Sequence, residues 1–112
     1  MRKIEGFIQP FKLEELKDAL IKVGVEGMSV LPCKGFGRQL GYGAEETPSS
    51  SVKFLDKLKL EIVVEEEHVE EVIEVIKRMA RTGTIGAGKI FVIPVEDAIR
   101  ISTQEVGRSA IR

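Results

Sequence analysis

An α+β fold built on a four-stranded antiparallel sheet is predicted by three observations. Four short runs are alternating or continuously apolar, two stretches space their apolar residues by three and four, and one long glycine- and serine-rich run separates the second strand from the third. Lys3 to Gln9 alternates, with Ile4 and Ile8 on one face and Phe7 on the other, and Pro10 ends it. From Lys12 to Val23, Leu13, Leu16, Leu20 and Val23 form a helical stripe, with Gly24 as its cap. Met28 to Cys33 is a second strand, and Pro32 points to an edge position. The third strand, Lys57 to Val64, passes from alternating to fully apolar. Glu65, Glu66 and Glu67 then stand where a helix start welcomes negative charge, and Val69, Val72, Ile73, Ile76 and Ala80 make the stripe of a helix from His68 to Arg81. Ile90 to Val95 is the fourth strand.

The order strand, helix, strand, strand, helix, strand is that of the ferredoxin-like βαββαβ fold, with two helices on one face and a long loop between strands 2 and 3. Phe7, Val63, Phe91 and Ile93 lie on the opposite phase from Ile4, Ile62, Ile90 and Val92. The uncovered face is therefore expected to be apolar and buried in a homo-oligomer.

A length of 112 residues, 43% hydrophobic and 31% charged, suits one domain over 1–112, with a loop at about 36–56 and a tail at about 96–112. With 17 basic and 18 acidic residues the net charge is −1, which gives no basic field for nucleic acid, and the strands show no stacking aromatics on LKLEIVV. Cys33 and His68 are the only residues of their kinds, so neither an intrachain disulfide nor a Cys/His metal cluster is expected, and a reducing cytoplasm is the expected compartment. No apolar run is long enough to cross a membrane. No Ser-His-Asp set is present, and a dedicated enzyme is not expected.

Arg81 to Phe91, RTGTIGAGKIF, is the stretch with the clearest chemistry. Gly83, Gly86 and Gly88 free the backbone to aim N–H groups at an anion, and Lys89 adds a cation at the mouth of the next strand. Spacing alone favours the plainer reading, a helix C-cap at Gly83 followed by a tight loop.

Lys3-Ile4-Glu5, Pro10-Phe11-Lys12-Leu13, Gly27-Met28, Lys34-Gly35-Phe36-Gly37-Arg38-Gln39, Lys57 to Val64, Ala80-Arg81-Thr82-Gly83, Ile85-Gly86, Gly88 to Val92 and Ile99-Arg100-Ile101 occur in an order that resembles the PII signal-transduction family over essentially the whole chain. The resemblance implies a homotrimer whose clefts between subunits bind ATP or ADP, and a long loop that docks on a target such as an ammonium transporter or a metabolic enzyme. It implies a phosphate grip from Gly86, Ala87, Gly88, Lys89, Arg38 and Arg100, with Gly35, Phe36 and Gly37 passing close to the nucleotide. Ser29 keeps a hydroxyl for the adenine side, and Ile62, Val63 and Val64 match the strand whose backbone recognises the base. For 2-oxoglutarate the resemblance implies Mg²⁺ on the ATP phosphates and Gln39, with Lys57 pairing with a carboxylate.

The chain departs from the family pattern where function sits. Tyr42 is its only tyrosine and is displaced from the usual modified position, so nucleotidylylation there is excluded; Ser49, Ser50 and Ser51 offer hydroxyls instead. Ala87 replaces an acidic residue, Ser102 an arginine, Gln104 a glycine, and Leu40 and Gln9 stand where basic residues are common. These changes leave open a divergent regulator of another transporter or pathway without 2-oxoglutarate sensing, or a slow ATPase.

Overall fold

Ile4 and Ile8 of β1 (Arg2–Ile8) face the same way as Leu60, Ile62 and Val64 of the neighbouring strand, and this apolar row is the floor of the core. Residues 1–37, 53–81 and 88–112 are described by the computed structural model. A 3-10 turn at Pro10–Lys12 leads from β1 into α1 (Leu13–Lys22), whose Leu16 and Leu20 are buried. Gly24 ends α1 with φ 94°: its N–H donates to Ile21 O at 3.0 Å and Val25 N–H donates to Leu20 O at 3.1 Å, the paired closure of a Schellman cap. β2 (Ser29–Gly35) and β3 (Leu55–Val64) are antiparallel neighbours, and α2 (Val69–Ala80) follows a 3-10 turn at Glu66–His68. β4 (Lys89–Pro94) completes the sheet.

The strand order is β2-β3-β1-β4, with every neighbouring pair antiparallel, as the ferredoxin-like order requires. Pro32 sits on the edge strand β2, where its missing N–H costs no ladder bond on the solvent side. Element ends move by one or two residues from expectation, because the first turn of each helix is 3-10 and the β2–β3 ladder runs on to Gly35 and Leu55. Val75 joins Val69, Val72, Ile76 and Ala80 in the core of α2. The stripe is wider than the spacing suggested because α2 packs on both α1 and β1.

The second face of the sheet differs from the wholly apolar surface expected. Phe7 and Phe91 meet edge to face at 6.2 Å, and Val63 and Ile93 share their phase. The same period of two places Lys3, Glu5, Lys59 and Glu61 there, and they form a closed quartet. Lys3 Nζ lies 2.9 Å from Glu5 and 3.1 Å from Glu61, and Lys59 Nζ lies 3.3 Å and 3.5 Å from the same carboxylates. The hydrogen bond from Lys3 holds the Glu5 carboxyl below its ordinary range, and its bonds to Glu5 and then Glu61 push the Lys3 ammonium up.

The tail folds back on itself. Ile99 bridges Val106, Arg100 N–H donates to Glu105 O at 2.9 Å, and Gly107 N–H donates to Ala98 O at 2.9 Å. Gln104 turns this hairpin at φ 63°, the left-handed region that costs a side-chain-bearing residue about 1–2 kcal/mol. Gln104→Gly is expected to relieve that strain, offset by the greater freedom of glycine in the unfolded chain, for a net gain of about 0.5–1 kcal/mol. Slower amide exchange over Arg100–Gly107 and a higher denaturation midpoint are the outcomes that check it.

Candidate functional site

The residues singled out in the sequence divide between the two ends of the sheet. At one end β2 and β3 run outward as a two-stranded stem. Gly35 pairs with Leu55, Lys34 Nζ meets the Asp56 carboxylate at 2.9 Å, and beyond the ladder Phe36 and Phe54 approach at 5.6 Å between ring centres. A Cβ on Gly35 would lie 3.9 Å from Lys57 Cδ, so the Lys57 stem runs along the loop base. Lys89 opens β4 at the same end, exposed and opposite Phe7. Its neighbour Gly88 has φ 122°, and a Cβ there would fall 1.8 Å from the Phe7 carbonyl oxygen. Only glycine permits this approach, which sets where Lys89 leaves the sheet. Lys59 and Lys89 both stand opposite Phe7, so Lys57, two residues further along β3, lies roughly 12 Å from Lys89. Arg38, Gln39, Gly86 and Ala87 lie outside the described residues, as do Leu40, Tyr42 and the serines 49–51.

At the other end, the β2 ladder stops at Ser29 opposite Glu61, while β3 continues to Val64 opposite Arg2. Among the described residues, the edge of Ile62, Val63 and Val64 that faces away from β1 therefore has no strand partner. Ile62 is 1% exposed, so its side chain belongs to the core and only its backbone can meet a ligand. A cleft of about 500 Å³ opens beside this edge; its walls include Ser29, Val63, Val64, Glu65 and Val72. Along β3, Lys57 and Val64 are seven residues apart, roughly 23 Å. Among the described residues of one chain, Lys57 and Lys89 therefore stand at the opposite end of the sheet from Ser29 and Val64.

Arg100 is engaged with the tail. Its Nη2 donates to the carbonyl oxygens of Ala110 at 3.3 Å, Ser109 at 3.5 Å and Arg112. The tail is fastened again at Glu65, whose carboxylate accepts Arg108 Nη2 at 2.7 Å and Arg112 Nε at 2.9 Å. Hydrogen bonds from Arg108 and then Arg112 hold the Glu65 carboxyl down to about 2. Sequence reasoning placed Glu65 at a helix start and missed this clasp, because partners 43 and 47 positions apart leave no local pattern. Among the described residues no group of three His, Cys, Asp or Glu is placed to hold a metal, and no helix is long and apolar enough to cross a membrane.

The family model of nitrogen regulatory protein P-II matches residues 1–105. The chain belongs to the P-II family. The P-II protein of Azospirillum brasilense is 52% identical, covering 99% of this chain and 100% of its own. That of Microchaete diplosiphon is 49% identical with the same coverage. The crystal structure of Arabidopsis thaliana PII bound to citrate superposes with a TM-score of 0.82 at 40% identity, covering 99% of this chain and 89% of that one. The ferredoxin-like sheet is thus the P-II sheet, and P-II proteins are regulators rather than catalysts.

Two outcomes follow from this geometry. Gly88→Ala is expected to force β4 away from Phe7, lowering the denaturation midpoint and displacing Lys89, which a crystal structure of the variant would record. The Glu65 clasp should be intact above pH 4.5 and fade as pH falls from 4.5 toward 2, since a carboxyl held below its ordinary value loses its contribution only on protonation. Amide exchange over Gly107–Ile111, followed through an acid titration, reads that loss.

Proposed function

We propose that this chain is a non-catalytic signal-transduction protein that binds ATP or ADP in clefts between copies of itself and regulates a target through the loop at 36–56. The observation that carries this reading is the partition of the site. Gly35, Phe36, Gly37, Lys57, Gly88 and Lys89 stand at one end of the sheet, and Ser29, the free edge of Ile62–Val64 and Arg100 stand at the other. A single nucleotide can engage both sets only where the loop end of one copy meets the cleft end of another. A homotrimer satisfies this with three equivalent clefts.

Lys89 takes the phosphates, joined by Arg38 and the Gly86–Ala87–Gly88 backbone, while Ser29 and the unpartnered edge of β3 take the base. Because the loop at 36–56 springs from the phosphate end, a ligand that favours one loop conformation changes partner affinity by its differential binding to the two states. Gln39 is the candidate ligand for Mg²⁺ shared with the ATP phosphates, and with Lys57 for 2-oxoglutarate. The Lys57 stem against Gly35 supports this assignment, as does a PII relative bound to citrate, itself a polycarboxylate. The target is an ammonium transporter or another transporter or enzyme reached from the cytoplasm.

Calorimetric titration with ATP, ADP and AMP in Mg²⁺, each with and without 2-oxoglutarate, tests the reading. ATP should bind, and Lys89→Ala should weaken it by about 10- to 100-fold, the worth of one charge-assisted contact of roughly 1.5–3 kcal/mol. AMP, which lacks the outer phosphates, should be less affected. Unchanged ATP affinity in the variant would remove Lys89 from the phosphate site.

A further inference from the structure

The two faces of the loop stem carry different groups. Side chains alternate along paired strands, so Gly35 shares a face with Lys57, while Lys34 and Asp56 share the other with Leu58. Phe36 and Phe54 continue the alternation on the Lys34–Asp56 face, one step beyond the last ladder pair of Gly35 with Leu55. Their ring centres are 5.6 Å apart, with the planes inclined at 59°. We propose that Phe54 is a positioning residue of the nucleotide site: its ring pins Phe36 and thereby fixes the turn Gly35-Phe36-Gly37, where the chain leaves the sheet. This inference rests on the nucleotide reading above, which sets that turn beside the ligand, and it adds the residue that holds it.

Past the last ladder pair, the shape of the turn depends on one side chain. Phe36 is the only residue of the three that has one; a Cβ on Gly37 would meet no atom within 4 Å, and one on Gly35 would only touch the Lys57 stem at 3.9 Å. Glycine on either side gives the backbone its widest choice of φ and ψ, so the conformation follows what the Phe36 ring touches. The ring it touches is that of Phe54. Both rings are exposed, at 52% and 65%, and neither belongs to the core, so the pair acts on the turn and not on the fold. The Lys34–Asp56 pair beneath adds little, since exposed ion pairs hold weakly. An inclined aromatic pair is attractive at this spacing and restricts how the two rings sit. Lys57 and Lys89 share the face of Phe7, opposite to Phe54, so the influence of Phe54 on a ligand they hold runs through Phe36.

The test uses the full chain and the variants Phe54→Ala, Phe54→Tyr, Phe36→Ala and Phe36→Ala/Phe54→Ala, each titrated with ATP in Mg²⁺ by calorimetry. Phe54→Ala is expected to weaken ATP by about three- to tenfold, the scale of one aromatic pair, while Phe54→Tyr, which keeps the ring, stays within about twofold of the intact chain. The double variant should bind ATP no more weakly than Phe36→Ala alone, because a residue that acts through Phe36 has nothing left to position once that ring is gone. The denaturation midpoints should stay near that of the intact chain, since the rings lie outside the core, and a variant that fails to fold overturns that premise. Losses that multiply in the double variant, or a Phe54→Ala variant that binds like the intact chain, overturn the positioning role while leaving the nucleotide reading standing. A loss in Phe54→Tyr as large as in Phe54→Ala overturns it too. Absence of ATP binding by the intact chain overturns the nucleotide reading itself, and the positioning role with it.

Discussion

The pairing of β1 with β3, with Ile4 opposite Ile62 beneath the two helices, is the contact on which the rest of the molecule depends. Side chains alternate with a period of two, so a slip of one residue would carry Ile4 and Ile8 to the open face and bring Lys3 or Glu61 into the core. Burying such charges without partners costs several kcal/mol each, so the register is strongly held. Because β3 has ten residues and its neighbours have seven, that register also decides what overhangs. At one end the overhang becomes the loop stem with Lys34–Asp56 and Phe36–Phe54; at the other it becomes the free edge of Ile62–Val64.

Charge is distributed by the same scaffold. A net charge of −1 conceals local order: a balanced quartet on the open face, exposed lysines at the loop end and two tail arginines on one glutamate. The quartet joins both central strands and is neutral in sum, so a second copy packed on this face would meet paired groups rather than bare ions. Phe7 and Phe91 beside it give the face its apolar part.

A regulator of this kind needs an element with two arrangements and a ligand that distinguishes them. In the proposed reading that element is the loop at 36–56, whose stem, from Gly35 to Leu55, springs from one end of the sheet. In the proposed assembly a nucleotide spanning two copies lies beside that stem.

Element order, the core rows Ile4/Ile8 and Leu16/Leu20 and the edge position of β2 were legible in the sequence, because periodicity and special backbone requirements are local properties. The phase of Phe7, Val63, Phe91 and Ile93 was legible as well, but reading only its apolar members hid Lys3, Glu5, Lys59 and Glu61 on the same face. Gly88 illustrates the boundary: its residue type was read as freedom to aim N–H groups at an anion, and only the fold showed that a Cβ there would strike the Phe7 carbonyl. What tertiary structure alone decided is where the ends of the chain's elements meet. Glu65 finds Arg108 and Arg112 across more than forty residues, and Arg100 finds the tail carbonyls, because the final hairpin folds back over the end of β3. No spacing rule reaches that far: such contacts are set by the register of a sheet and the path of a loop.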